Sequence, residues 1–139
     1  LMGPDGEYHA SASYLAVIEK FGEVEPYVSI RAAEDRHSSA LVRQLERLGI
    51  EVPENPYLGK LQAPSDLTTA ARAWADGEVA NIAMYDTLLA QTDDAALFRV
   101  LTNLRRASAD VHLPAFQAAA EQGGTLTPEQ MAEFQTGRP

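Results

Sequence analysis

The sequence predicts an all-α fold: a four-helix bundle with one long crossover connection between helices two and three, and a short C-terminal helix. Three observations lead there. Four long stretches repeat apolar residues at the spacing of an α-helix. The first and last joints between them are short enough to force antiparallel neighbours. The middle joint, Ile50 to Pro64, is long and broken by Pro53, Pro56, Gly59 and Pro64. A chain of 139 residues is expected to form one domain, 1–139, with a sizeable core.

Asp5 or Gly6 opens the first helix, which runs to about Phe21 and stops at Gly22. Its inward stripe reads Glu7, Ser11, Tyr14, Ile18 and Phe21. Glu23-Val24-Glu25-Pro26 is a short turn into the second helix. There the stripe is Ile30, Glu34, His37, Leu41, Leu45 and Leu48, and Gly49 suits the left-handed cap position after it. The 50–64 segment is too broken for a helix and lacks the alternation of a strand. A connection of that length can run the height of a bundle and leave helices two and three parallel.

Ser65 or Asp66 caps the third helix, about Leu67 to Ala90, whose stripe is Leu67, Ala71, Trp74, Glu78, Ile82, Tyr85 and Leu89. Thr92-Asp93-Asp94 turns the chain into the fourth helix, about Ala95 to Gln122. Leu97, Leu101, Leu104, Ser108, His112, Ala115 and Ala119 face inward there. Pro114 removes the bond to the Asp110 carbonyl and is expected to kink this helix beside His112. Gly123-Gly124 ends it. Thr127-Pro128-Glu129-Gln130 then carries a cap residue, proline at the first position and glutamine at the third, the signature of a short final helix.

Composition removes several function classes. Eleven Lys and Arg against twenty Asp and Glu give a net charge of −9, which argues against a nucleic-acid surface. There is no basic amphipathic stretch and no long apolar run, so no membrane span is expected. The absence of cysteine excludes disulfides, thiolate zinc sites, iron–sulfur clusters and a rubredoxin-type electron-transfer unit. The start, Leu1-Met2-Gly3-Pro4, is unusual for a native chain and is read as the mark of a lost leader, tag or signal. Localisation therefore stays open.

What singles the chain out is that each long helix carries an ionisable residue inside its apolar stripe. These are Glu7 on the first, Glu34 with His37 on the second, Glu78 on the third and His112 on the fourth. The halves echo each other, since Glu7 precedes Tyr14 by seven residues as Glu78 precedes Tyr85. Glu34-x-x-His37 is answered by Ala109-x-x-His112. Carboxylate-bridged metal bundles place one Glu on each of two helices and Glu-x-x-His on each of the other two. Here the fourth Glu is missing, and Asp110 lies roughly 200° around the helix from His112 at about 100° per residue. Three carboxylates facing one another in a core cannot all stay ionised unless cations offset them or their pKa values rise. Oxygen and imidazole donors together suit Fe, Mn, Zn or Cu.

Blander roles compete at every position. Glu34 and His37 suit an intrahelical pair joined by Arg31 or Arg36, Glu7 a first-turn Glu favoured by the helix dipole, and Glu78 a solvated edge residue. A lone His112 suits a satisfied core histidine. Tyr14 and Tyr85 read as core aromatics whose hydroxyls need partners, or, more sharply, as catalytic residues that hydrogen-bond ligands or donate electrons. Asp86 reads as a surface residue or as an acceptor orienting a ligand histidine, and Trp74 as core.

The chain resembles the ferritin-like, rubrerythrin-like superfamily, and most of all a prokaryotic ferritin-like family of unknown function. Glu7 with Ala10 to Phe21, Ser29-Ile30-x-x-Ala33-Glu34-x-x-His37, and His112-Leu113-Pro114-Ala115-Phe116 carry the likeness, from Glu7 to about Ala120. The resemblance implies an all-α bundle and a carboxylate-bridged metal pair, iron or manganese, that reacts with oxygen or peroxide. Ala109 leaves open a single metal, an unequal pair or a ligand from elsewhere. The functions to weigh are thus a non-haem metal oxidoreductase, a metal-binding protein for storage, buffering or delivery, and a metal-free helical scaffold. A homodimer is left open, since no exposed apolar stripe marks an interface.

Overall fold

Residues 1–136 are described by a computed structural model, and they are all-helical, without a strand among them. The elements are α1 (Glu7–Phe21), α2 (Tyr27–Arg47), α3 (Leu67–Gln91), α4 (Ala95–Ala107), a π turn (Ser108–His112), α5 (Leu113–Glu121) and α6 (Pro128–Thr136). No described helix is long and apolar enough to cross a membrane.

The local signals act as their chemistry requires. Asp66 accepts the Thr69 amide at 2.7 Å and caps α3, and Asp94 accepts the Leu97 amide at 3.0 Å to cap α4. Gly49 adopts φ +72° just past the end of α2, a left-handed position that side chains with a Cβ resist. At α6, the Gln130 amide donates to Thr127 Oγ1, while Gln130 Oε1 accepts the Thr127 amide. Each residue thus satisfies a backbone donor of the other, a complete capping box.

Side-chain bonds fix the helix directions. Ser11 bonds Asp35 while Glu7 faces His37, so α1 and α2 run antiparallel. Tyr14 bonds Glu78 and Tyr85 bonds Glu7, which makes α1 and α3 antiparallel too. Helices α2 and α3 are therefore parallel to each other. The connection between them makes this possible by running along α1. Pro53 and Asn55 bond Tyr8 near the start of that helix, and the Pro64 carbonyl accepts from Lys20 near its end.

The apolar core has two parts. One gathers Tyr14, Val17, Tyr27, Ile30, Phe116 and Met131, among others. The other holds Tyr85, Leu101 and Leu104, with Leu41, Leu89 and Leu97 packed on it. On α2, α3 and the α4–α5 rod, the ionisable residues fall between the two parts in sequence. Burying each large side chain is worth about 1.5–3 kcal/mol. Two expectations are corrected here. Leu48, placed on the inward face of the second helix, is 44% exposed, because α2 ends at Arg47 and the chain turns away. The fourth helix is not one α-helix, since a π turn divides it.

Gly124 is buried, at φ +103°, and an added Cβ would lie 2.2 Å from the Leu67 carbonyl carbon. Neither backbone can retreat without moving a helix. Gly124→Ala is therefore expected to destabilise the protein by about 3 kcal/mol or more, seen as a lower urea midpoint. A wild-type midpoint would refute this packing.

Candidate metal centre

Glu7, Glu34, Glu78 and His112 are each no more than 3% exposed, and His37 has a side-chain exposure of 15%. They meet at one level of the molecule. His37 Nδ1 lies 3.5 Å from Glu7 Oε2 and 3.6 Å from Glu34 Oε2. His112 Nδ1 lies 2.9 Å from Glu34 Oε1 and 3.3 Å from Glu78 Oε1. Two trios result, Glu7–Glu34–His37 and Glu34–Glu78–His112, each with ligand atoms within 4.8 Å of one another. Glu34 belongs to both and offers a different oxygen to each. The imidazoles stack at 5.7 Å between ring centres.

The tyrosines cross over between the halves. Tyr14 Oη on α1 donates to Glu78 Oε1 on α3 at 3.1 Å, and Tyr85 Oη on α3 donates to Glu7 Oε1 on α1. The equal spacing of Glu7–Tyr14 and Glu78–Tyr85 on antiparallel helices produces this exchange. On Glu7 the hydroxyl holds Oε1 and leaves Oε2 turned to His37, whereas on Glu78 the bonded oxygen, Oε1, is itself the one that faces His112.

Part of the cluster lacks hydrogen-bond partners. Glu7 Oε2, Glu78 Oε2, His37 Nδ1 and His112 Nδ1 are all buried without a hydrogen bond. For His112 the 2.9 Å approach to Glu34 is a charge contact off the N–H direction, and does not satisfy the ring nitrogen. A buried polar atom left unpaired costs about 1–3 kcal/mol, more if charged. Four such atoms, all good donors to a divalent ion and shared between the two trios, fit a metal site by their chemistry.

Without a cation the cluster shares protons unevenly. Burial is the largest influence on Glu34 and would raise it, but His112 and His37 together outweigh it and hold the carboxyl down at about 2. Burial would lower His112, yet Glu34 and Glu78 raise it to about 10. Glu78 is raised, by burial first and by the Glu34 charge as well. Burial and nearby carboxylates push the Tyr14 and Tyr85 hydroxyls up, so both remain protonated donors at neutral pH.

The place of the absent fourth Glu is reshaped by the π turn. Pro114 has no N–H to give the Asp110 carbonyl, and just before it the Leu113 amide bonds Ser108, five residues back. Within the turn Ser108 is buried along with His112, while Ala109 is only half-buried. Ser108 Oγ donates to Asn81 Oδ1 at 2.6 Å, and Asn81 Nδ2 donates to the Asp5 carbonyl at 2.7 Å. A neutral, satisfied pair thus stands beside the cluster. Sequence reading placed Ser108 inward but missed Asn81, although its position three residues after Glu78 put it one turn along the same face.

Other candidates are settled by their surroundings. Asp86 pairs with Arg105 at the surface, away from either histidine, at 2.5 Å. Trp74 is half-buried, with its ring 5.3 Å from that of Tyr14. Glu34 makes its ion-pair contacts with His37 and His112 rather than with Arg31 or Arg36. No protein-family model, no curated protein and no solved structure matches the chain.

The charge sharing has a consequence for the metal-free protein. His112, raised from 6.5 to about 10, stabilises the fold fully below pH 6.5 and loses that effect as pH climbs toward 10. Glu34, lowered from 4.5 to about 2, stabilises above pH 4.5 and loses its effect as pH falls toward 2. Chelator-treated protein is expected to melt highest between these limits, and His112→Gln to flatten the alkaline side. A melting temperature that rises steadily from pH 6.5 to 9 would contradict the pairing.

Proposed function

We propose that this chain is a ferritin-like four-helix bundle that binds divalent metal through Glu7, Glu34, His37, Glu78 and His112. The function it suits best is that of a non-haem iron or manganese oxidoreductase acting on oxygen or peroxide. The observation that carries the reading is the pair of trios sharing Glu34, with four buried ligand atoms that have no other partner. When bound, the metal supplies the redox chemistry. Glu34 spans two positions, Glu7 gives one oxygen to the cluster and one to Tyr85, and Glu78 offers Oε1 to both Tyr14 and His112. The tyrosines keep those carboxylates oriented, as outer partners of metal ligands do.

The parallel α2 and α3, joined by a connection that runs along α1, support the ferritin-like reading. The resemblance drawn from the sequence supports it from another side. The two positions are unequal. One is wholly buried around His112, though Ala109 stands on that helix where a fourth Glu would be, and the other is partly open at His37. That deficit keeps a second reading in view, in which the protein binds metal for storage, buffering or delivery and turns nothing over.

The test begins with metal-free protein and a titration with Fe²⁺ without oxygen, followed by exposure to air. Up to two ions per chain are expected. Glu34→Ala should lose both and His37→Ala one, while Tyr85→Phe weakens binding about 10–100-fold. Ferric absorption in the near-ultraviolet that forms and recurs with added reductant supports the oxidoreductase. Uptake without oxidation supports storage or delivery. Failure to bind Fe²⁺, Mn²⁺ or Zn²⁺ would leave only a helical scaffold.

A further inference from the structure

A chamber of about 200 Å³ opens between the start of α1 and the middle of α3, and its inner wall includes Glu34 and Glu78. A water molecule needs only roughly 10–15 Å³ measured this way. Oxygen or peroxide alone would therefore leave most of the space unused. Its walls include the rings of Tyr14 and Trp74, set edge to face, and the small residues Ala10 and Gly77. Glycine is unfavourable inside a helix, yet Gly77 sits in the middle of α3. A Cβ there would lie 3.0 Å from Trp74 Cε3, so the missing side chain is what lets the indole lie flat against the helix. Small residues and two flat rings shape the space for something compact and ring-like.

Charge narrows the class further. No Lys or Arg lines the chamber, while Asp5, Glu34 and Glu78 do, so an anion would meet like charge on entry. With divalent metal on Glu34 and Glu78 those charges are offset, and a cation would face the metal. A neutral molecule suits both conditions. Resting on the metal-centre reading above, we propose that the chamber is the binding site for an organic substrate: a compact, neutral molecule about the size of one six-membered ring. His9 forms part of the wall, its ring 4.9 Å from that of Tyr57 on the long connection. The connection that allows α2 and α3 to run parallel also braces this wall.

Trp74 is the only tryptophan, so its fluorescence reports on the chamber without a label. The full chain, chelator-treated and separately Zn²⁺-loaded, is titrated with cyclohexanol and with cyclohexanecarboxylate. Cyclohexanol is expected to give a saturable change, and the carboxylate to bind at least tenfold more weakly. Ala10→Leu, which fills the space and is not one of the five proposed ligands, should weaken cyclohexanol at least tenfold while its circular dichroism stays unchanged. If that variant does not fold, ring size in the wild type carries the test, and cyclododecanol should fail to bind. No saturable change with cyclohexanol, or equal binding of the carboxylate or the larger ring, overturns the proposal. Cyclohexanol binding by protein that takes up no zinc keeps the chamber and removes the metal reading. Zinc uptake without cyclohexanol binding removes the chamber alone.

Discussion

Three carboxylates and two imidazoles brought to one level of a helical core form the constraint around which the rest of this structure is arranged. Each ion taken from water costs several kcal/mol unless it is closely paired. Protons alone relieve that cost only in part. His112 can hold one, and it offsets Glu34 better than Glu78. The tyrosine hydroxyls satisfy one oxygen each on Glu7 and Glu78. What is left over is a set of buried oxygen and nitrogen atoms that make no hydrogen bond. Divalent cations, one at each trio, would answer them.

The scaffold meets this demand by splitting its core. Apolar packing above and below the cluster belongs to two separate groups of side chains, one around Tyr14 and Phe116, the other around Tyr85 and Leu101. A tyrosine from each group reaches into the polar layer. Because α1 and α3 run antiparallel with the same Glu-to-Tyr spacing, each tyrosine finds the other helix's carboxylate. The layer is therefore tied to both apolar groups, so that shifting either one would disturb the ligands. Long-range order here comes from hydrogen bonds between halves as much as from packing.

Much of this could be read in the sequence, because periodicity and caps are local. The stripes of the four long helices predicted which faces are buried, and Asp66, Asp94, Gly49 and Thr127 behave as their chemistry implies. The five candidate ligands could be found because a charged residue in an apolar stripe is conspicuous. What stayed hidden depends on partners distant in the chain. Nothing local says that Tyr14 bonds Glu78 rather than Glu7, or that Glu34 serves two trios. Pro114 signalled a disturbance beside His112, but the π turn it takes and the bond from Ser108 to Asn81, 27 residues earlier on another helix, are not local features. The chamber beside Trp74 was invisible for the same reason, since a cavity is made by residues that are not there.

The central claim is that a cation holds the buried cluster together. It is tested most directly by the melting temperature of chelator-treated protein as Mn²⁺ or Zn²⁺ is added, with Glu34→Gln alongside. Binding at about 100 times the dissociation constant should add about 2.7 kcal/mol and raise the wild-type midpoint by about 5–15 °C. The variant, lacking the shared ligand, should show no such rise. A wild-type midpoint indifferent to millimolar metal, or an equal rise in Glu34→Gln, would contradict the account.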